Sequence, residues 1–384
     1  MKRKLKIAFL CIYSHPSICG VWTRVSNLGM ILAKKGHEIH VFSTNIIKGT
    51  NKTSSHYEKF QGISIHRFKS NISFGENVKF WDPYKEIQKI NPDIIIAEVY
   101  RHPHTHLALK IARELKKPCF LVTHAPFVEP ELRSRIGNLI AKLYDRFFGP
   151  KTIRKFNKII TITKWEIPYL ENLGIRREQL TYIPNGVPEE FFKIKTRKGK
   201  NLLFLGRISP IKNLESLIKA VAIVKKAYPN IELKIVGPAE KEYKTELENL
   251  IKKLDLEKNI KFFPAIYDIK KKIKIIDNSA IFVLPSKREA MPQSLVEAMA
   301  RKKIVIASAN KGAQEIIIDK KNGFLFPISS STILAGILEY CLTKKNEKNL
   351  KQIRNNAVEK AKKFRWTKIA NKFNNLILAS VKEK

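Results

Sequence analysis

Short apolar runs alternate with stretches of helical periodicity along the whole chain, the pattern of parallel strands joined by crossover helices. Apolar runs at 6–12, 38–43, 93–98, 118–123, 158–163 and 180–183 predict strands, with helices over 21–35 and near 105–116. This series ends at the turn Pro184-Asn185-Gly186. A basic, aperiodic stretch follows at 191–200, and then a fresh alternation begins, with strands predicted at 201–205, 232–236, 261–263, 280–284 and 304–308. The expectation is two doubly wound α/β domains in tandem, spanning 1–190 and 201–364 with 191–200 as linker. An amphipathic helix in 365–384 closes the chain and is free to pack back on the N-terminal domain.

Open α/β sheets bind ligands outside the carboxyl ends of their strands. Two such domains are expected to face each other across a cleft, and the informative residues should follow strands. Composition agrees with this picture: 384 residues suit two domains, and 44% hydrophobic residues suffice for two buried cores. A net charge of +39, from 73 Lys and Arg against 34 Asp and Glu, first suggests nucleic acid. The excess is spread over both halves, however, few aromatics interleave with the basic runs, and no recognised binding module occurs. No nucleic acid is therefore expected as a partner.

Cys11, Cys19, Cys119 and Cys341 form no CxxC pair and no dense framework, which fits reduced thiols in a cytoplasmic protein. The charged start and the apolar run 7–13 mimic a signal peptide. That run is short, His15 and Pro16 follow it, and a buried first strand explains it better. No run approaches the roughly 20 apolar residues of a membrane-spanning helix. No GxxxxGK[ST] loop is present, which argues against a nucleoside triphosphatase.

Two segments after strands carry candidate chemistry. The predicted strand 280–284 leads into Pro285-Ser286-Lys287-Arg288-Glu289-Ala290-Met291-Pro292-Gln293-Ser294-Leu295-Val296-Glu297. Pro292 suits the first helical position, which puts Glu289 in the loop and Glu297 inside the helix. The helix start between them offers free N–H groups and partial positive charge to an anion such as a diphosphate. A surface helix with two solvated glutamates would satisfy the spacing equally well. The predicted strand 201–205 leads into Gly206-Arg207-Ile208-Ser209-Pro210-Ile211-Lys212-Asn213, a glycine turn with two cations before a helix. Arg207 is able to fork onto phosphate oxygens and Lys212 to supply a mobile point charge, although a solvated loop would look the same in so lysine-rich a chain.

Together these segments resemble the retaining glycosyltransferases of family 4 (glycosyl transferases group 1), which have the GT-B fold. Asn322-Gly323-Phe324-Leu325-Phe326 and Pro184-Asn185-Gly186-Val187 add to the resemblance. It implies that Arg207 and Lys212 hold the donor diphosphate and neutralise the leaving group. By the same resemblance Glu297 accepts from ribose hydroxyls, Glu289 faces the transferred sugar, and Met291, Gln293, Ser294 and Leu295 line the donor. Gly20, in the loop after the first strand, resembles the glycine whose backbone closes on the diphosphate, and His124 the histidine beside the sugar ring. Glu289, His124, Arg207 and Lys212 are the implied catalytic set, with no metal and no cofactor beyond a UDP-, GDP- or ADP-sugar donor. The chain departs from the family at Ile18-Cys19-Gly20, which has one glycine where a pair is common. It departs also at Ala290-Met291-Pro292, Ala265 and Lys311-Gly312, where glycine is frequent.

His102-Pro103-His104-Thr105-His106 invites a metal reading, but its place after a strand favours acceptor contact or loop solvation. Asn185-Gly186 is explained as a tight turn. Within 131–158, Leu132, Ile136, Leu139, Ile140, Leu143 and Phe147 follow helical spacing. Arg133, Arg135, Lys142, Arg146, Lys151, Arg154, Lys155 and Lys158 supply a basic side. Such a segment either turns its apolar face to the core or rests on an anionic membrane, as a peripheral contact.

The expected activity is retaining transfer of a sugar from a nucleoside diphosphate sugar to a glycan or lipid-linked acceptor. A sugar-nucleotide epimerase and a phosphorylase on the same architecture are the rival enzymes. A basic nucleic-acid-binding protein is the rival from another class.

Overall fold

A computed structural model of the chain describes residues 3–70, 72–74, 78–127, 135–194, 199 and 201–382. The chain divides into two compact units, one comprising Met1–Asn185 with Trp366–Lys384 and the other Gly186–Arg365.

The first unit is built on an eight-stranded sheet. Its order in space is Leu180–Tyr182, Lys158–Thr161, Cys119–Val122, Ile94–Glu98, Lys6–Leu10, Glu38–Thr44, Ile63–Phe68 and Tyr57–Phe60. All neighbours are parallel except the last pair at the edge. The central strands are buried almost throughout, as expected where helices cover both faces of a parallel sheet. Lys6–Leu10 pairs with Glu38–Thr44 on one side and Ile94–Glu98 on the other. Winding therefore reverses at Lys6–Leu10, where open sheets place their ligands.

Strands at Tyr57–Phe60, Ile63–Phe68, Ile72–Phe74 and Val78–Phe80 lie in a stretch the hydrophobic pattern left unassigned. Tyr57–Phe60 is an exposed edge, and Ile63–Phe68 carries Ser64, His66 and Arg67 among its apolar residues, so neither forms a continuous apolar run. The helix Trp366–Lys382 packs against Gly20–Lys34. Phe373 stacks on Phe9 of the first strand with ring centroids 6.2 Å apart, and His37 Nε2 lies 2.7 Å from Asn374 Oδ1.

The second unit has a six-stranded parallel sheet in the order Ile260–Phe263, Leu233–Val236, Asn201–Leu205, Ser279–Leu284, Ile304–Ser308 and Phe324–Phe326. Its winding reverses between Asn201–Leu205 and Ser279–Leu284. The loops after these two strands are the segments that carry the candidate cations and glutamates. Of the basic stretch 191–200, residues 195–198 and 200 lie outside the described residues, while Phe191 is buried in this unit's core.

Candidate functional site

In the second unit, the reversal of winding brings together residues far apart in sequence. Lys212 Nζ lies 2.6 Å from Glu289 Oε1, and Ser286 Oγ donates to the same oxygen at 2.7 Å. The loop that carries Lys212 is a single 3-10 turn, Pro210–Lys212, ended by Asn213 in the left-handed region (φ 50°). Asn213 Nδ2 donates to the carbonyl of Pro285, and Lys287 N to the carbonyl of Ile211, so the two loops are tied together by one side-chain and one backbone donor. Arg207 stands exposed at the start of its loop, outside every ion pair found among the described residues.

The helix after Glu289 begins at Gln293, one residue later than expected. Pro292 takes extended dihedrals (φ −75°, ψ 92°) and occupies the N-cap position. Proline has no side-chain acceptor, so the helix carries no side-chain cap, and its first-turn amides lack intrahelical partners. The five described candidates around this terminus differ in what they offer. Leu295 has its side chain in the core, so only its backbone faces outward chemistry. Gln293 Nε2 donates to the carbonyl of Gly186 at 3.2 Å, Ser294 is half-buried, and Met291 packs partly on the core. Glu297 is 6% exposed and held by Lys272, whose Nζ lies 2.7 Å from Oε1 and 2.6 Å from Oε2. Sequence reasoning missed Lys272, since one lysine in Ile269–Asp277 looks like its neighbours there.

Two glycines keep these loops in place. A Cβ on Gly237 would stand 1.8 Å from the carbonyl oxygen of Gly206, immediately before Arg207. A Cβ on Gly312 would stand 2.5 Å from the carbonyl oxygen of Glu289 and 2.6 Å from that of Ala290.

In the first unit, His124 follows the strand Cys119–Val122. Its Nε2 lies 2.5 Å from Oε2 of Glu98, a fully buried carboxylate at the end of the neighbouring strand. The imidazole donates to that oxygen, which in the neutral ring leaves Nδ1 as an acceptor. His124 and Ala125 both occupy the left-handed region, with φ of 59° and 51°. Such a pair is strained for residues with side chains and persists only where its surroundings fix it. Glu166 supplies the fixing contacts. Its Oε2 accepts from Thr123 Oγ1 at 2.6 Å and Ala125 N at 3.0 Å, and its Oε1 from Ile162 N and Thr163 N. Burial pushes the Glu166 carboxyl above the usual carboxylate range, against the pull of these hydrogen bonds. Neither Glu98 nor Glu166 was singled out from the sequence as a site residue, although a carboxylate closing the run Ile94–Glu98 is a detectable signal.

Gly20 opens the helix Gly20–Lys34 and does not lie in the loop before it. A Cβ there would meet nothing within 4 Å, so local packing does not demand glycine at this position. Asn185 proves to be more than a turn residue. It is buried, and its Oδ1 accepts from Nη1 of the fully buried Arg24, which also donates to the carbonyls of Ile183 and Pro184.

The basic amphipathic stretch divides into helices Arg135–Phe147 and Gly149–Ile153, and its residues 131–134 lie outside the described residues. Ile136, Leu139, Ile140, Leu143, Phe147 and Phe148 are all exposed, Ile136 at 73%. Arg135, Lys142 and Arg146 are exposed beside them. Among the described residues no helix is long and apolar enough to cross a membrane. Among them, too, no group of three or more His, Cys, Asp or Glu side chains is arranged to hold a metal ion.

Comparison with known proteins follows the same division of the chain. Residues 18–191 match Glycosyltransferase Family 4, and residues 187–363 match Glycosyl transferases group 1. An uncharacterised glycosyltransferase of Methanocaldococcus jannaschii is 29% identical over 370 residues, covering 88% of this chain and 89% of that protein. The alpha-monoglucosyldiacylglycerol synthase of Streptococcus pneumoniae is 24% identical over 338 residues, covering 81% of this chain and 73% of its own. Among solved structures, Anabaena HepE in complex with UDP and glucose shares the fold. It has a TM-score of 0.74 at 21% identity and covers 98% of this chain and 100% of that one. The chain therefore belongs to the GT-B glycosyltransferases that join a family 4 amino-terminal region to a group 1 carboxy-terminal region.

Proposed function

We propose that this glycosyltransferase moves a sugar, with retention of configuration and without a metal ion, from a nucleoside diphosphate sugar to a lipid or lipid-linked acceptor. The observation that carries the donor side is the cluster of Lys212, Glu289 and Ser286 beside the uncapped start of Gln293–Ala300. Breaking the bond between the anomeric carbon and the diphosphate builds negative charge on the leaving group. The cations Arg207 and Lys212 and the partial positive charge of the first-turn amides are suited to stabilise it. In this reading the anomeric C–O bond breaks as the acceptor oxygen bonds to the same face of the sugar, and the acceptor proton passes to the departing diphosphate. Glu289 would face the sugar, Glu297 the ribose, and Gly20 and His124 the diphosphate and the sugar ring. The acceptor side rests on the exposed apolar face of Arg135–Phe147 with its flanking cations, which suits an anionic bilayer surface. The pneumococcal relative, a glucosyldiacylglycerol synthase by name, supports the same choice of acceptor.

Thermal stabilisation by UDP-, GDP- and ADP-sugars, followed by turnover in Arg207→Ala, Lys212→Ala and Glu289→Gln proteins, tests the proposal. One donor class should raise the melting temperature, and each substitution should cut transfer by about 100-fold or more. Folded variants that transfer sugar at the native rate would overturn the site assignment.

A further inference from the structure

The two glutamates that flank the start of Gln293–Ala300 are each matched with a lysine from another element. Glu289 meets Lys212 at 2.6 Å, and Glu297 meets Lys272, which belongs to Ile269–Asp277. With both carboxylates neutralised, the unpaired Arg207 and the free first-turn amides give this terminus its net positive character. Left unmatched, Glu297 would repel a diphosphate bound there.

Lys272 is placed for this task by its helix. Ile276, one turn on, is fully buried in the core of the second unit, and Ile273 packs partly on that core, so Lys272 shares their inward side. The other lysines of the helix, Lys270, Lys271 and Lys274, are exposed. The ammonium is held from two directions. Nζ donates to Glu297 Oε1 at 2.7 Å and lies 2.6 Å from Oε2, and it stands 5.8 Å from the centre of the buried Phe191 ring.

This geometry fixes which way the carboxylate faces. The last torsion of a glutamate is broad, so a carboxylate without a partner has no single orientation. Contact of both oxygens with one ammonium sets its plane. Oε2 is buried, which leaves Oε1 as the oxygen a ligand can reach. A carboxylate oxygen has about two lone-pair sites, and Lys272 takes one of those on Oε1. The other is left to a hydroxyl donor.

We infer that Lys272 is the positioning residue for the donor's ribose: it aims Glu297 Oε1 at a ribose hydroxyl and so makes the protein prefer a ribonucleoside diphosphate to its dideoxy form. The inference rests on the reading above in which Glu297 faces the ribose, and it assigns the aim of that carboxylate to a residue of a different helix.

Calorimetric titration of the full chain with UDP, GDP and ADP, and with their 2′,3′-dideoxy forms, tests it, with the melting temperature measured on every sample. Lys272→Met keeps most of the stem and removes the charge, Lys272→Gln leaves a donor in place should the methionine variant unfold, and Lys272→Arg keeps the charge. The native protein should bind one of the three diphosphates at least about ten-fold more tightly than its dideoxy form, the effect of a hydrogen bond to a charged group. In Lys272→Met and Lys272→Gln that ratio should shrink to about three-fold or less, and Lys272→Arg should hold it near the native value. Glu297→Gln should shrink it as far, and Lys272→Met combined with Glu297→Gln no further, since the lysine acts through the carboxylate. A native ratio in the folded methionine or glutamine variant would overturn the inference. Equal weakening of both ligands, with the ratio kept, would overturn it as well, because a merely structural ion pair behaves that way. A native protein that binds a diphosphate with no preference for its ribose hydroxyls would remove the ribose role of Glu297 and this inference with it, while leaving the diphosphate site standing. Failure to bind any of the three would instead sink the donor reading itself.

Discussion

His124 is clamped by a carboxylate from the neighbouring strand: its Nε2 is 2.5 Å from Oε2 of Glu98, which has no exposed surface. Each partner lies at a strand's carboxyl end, His124 just beyond Cys119–Val122 and Glu98 closing Ile94–Glu98, and these strands are adjacent in the sheet. The ring's direction is thus set by sheet register, and the loop adds the left-handed turn that aims it.

Glu98→Gln tests whether that clamp matters for catalysis. The change keeps volume but replaces an acceptor pair with a mixed amide that is as able to donate as to accept. Transfer should fall about 10- to 100-fold with donor KM within about two-fold, because orientation and not donor binding is lost. His124→Ala should fall at least as far, and the double variant no further than His124→Ala alone, since the carboxylate acts through the ring. Additive losses would show that Glu98 works independently.

Gly237 and Gly20 should respond oppositely to alanine. At Gly237 the added carbon meets the Gly206 carbonyl oxygen at 1.8 Å, so Gly237→Ala should destabilise the protein by about 2–4 kcal/mol and disturb the Arg207 loop. At Gly20 the space is open, and Gly20→Ala should leave the urea midpoint unchanged. If its backbone approaches the donor, that same variant should raise donor KM.

Leu139→Asp with Leu143→Asp should leave the melting temperature unchanged, because both side chains are already exposed. In flotation assays with anionic vesicles the double variant should lose most binding, and raised salt should weaken the native protein's binding as its cations are screened. Unaltered flotation of the variant would remove the helix from the membrane contact.

Acid should destabilise the protein through His66. Burial and the nearby His40 lower its pKa to about 4, whereas the unfolded chain takes up the proton near 6.5. Between these values the unfolded state binds more protons, so stability falls as pH drops through that window. His104, with the same sign of shift, adds to the slope. Urea midpoints measured from pH 7 to pH 4 should show a shallower decline in His66→Phe than in the native protein.

The parts of the architecture that were legible in the sequence are those where apolar continuity is strong. Ile94–Glu98 and Ser279–Leu284 announce themselves as buried parallel strands, and the loop after the second holds the candidate Glu289. Edge strands such as Tyr57–Phe60 were illegible because one face meets water and the apolar run breaks. The proximity of Lys212 and Glu289 follows from loops flanking one reversal of winding, so it was foreseeable once both loops were recognised. Lys272 and Glu166 were not foreseeable. The first is one of many lysines, and the second becomes meaningful only when Thr123, Ala125, Ile162 and Thr163 converge on it. Leu295 shows the limit of reading a motif as a row of side chains, since a helix start offers ligands its amides while turning alternate side chains inward.

The helix Trp366–Lys382 sets an order on how the chain is made. Phe9, near the beginning, stacks on Phe373, and the His37 ring meets Asn374, so the first unit's sheet emerges from the ribosome long before the helix that covers part of it. The second unit, by contrast, is one uninterrupted segment. Vectorial synthesis therefore completes the cover of the sheet that starts first only at the end, after the later unit has appeared in full. A nascent chain halted before residue 366 would carry the whole second unit and an open apolar face on the first.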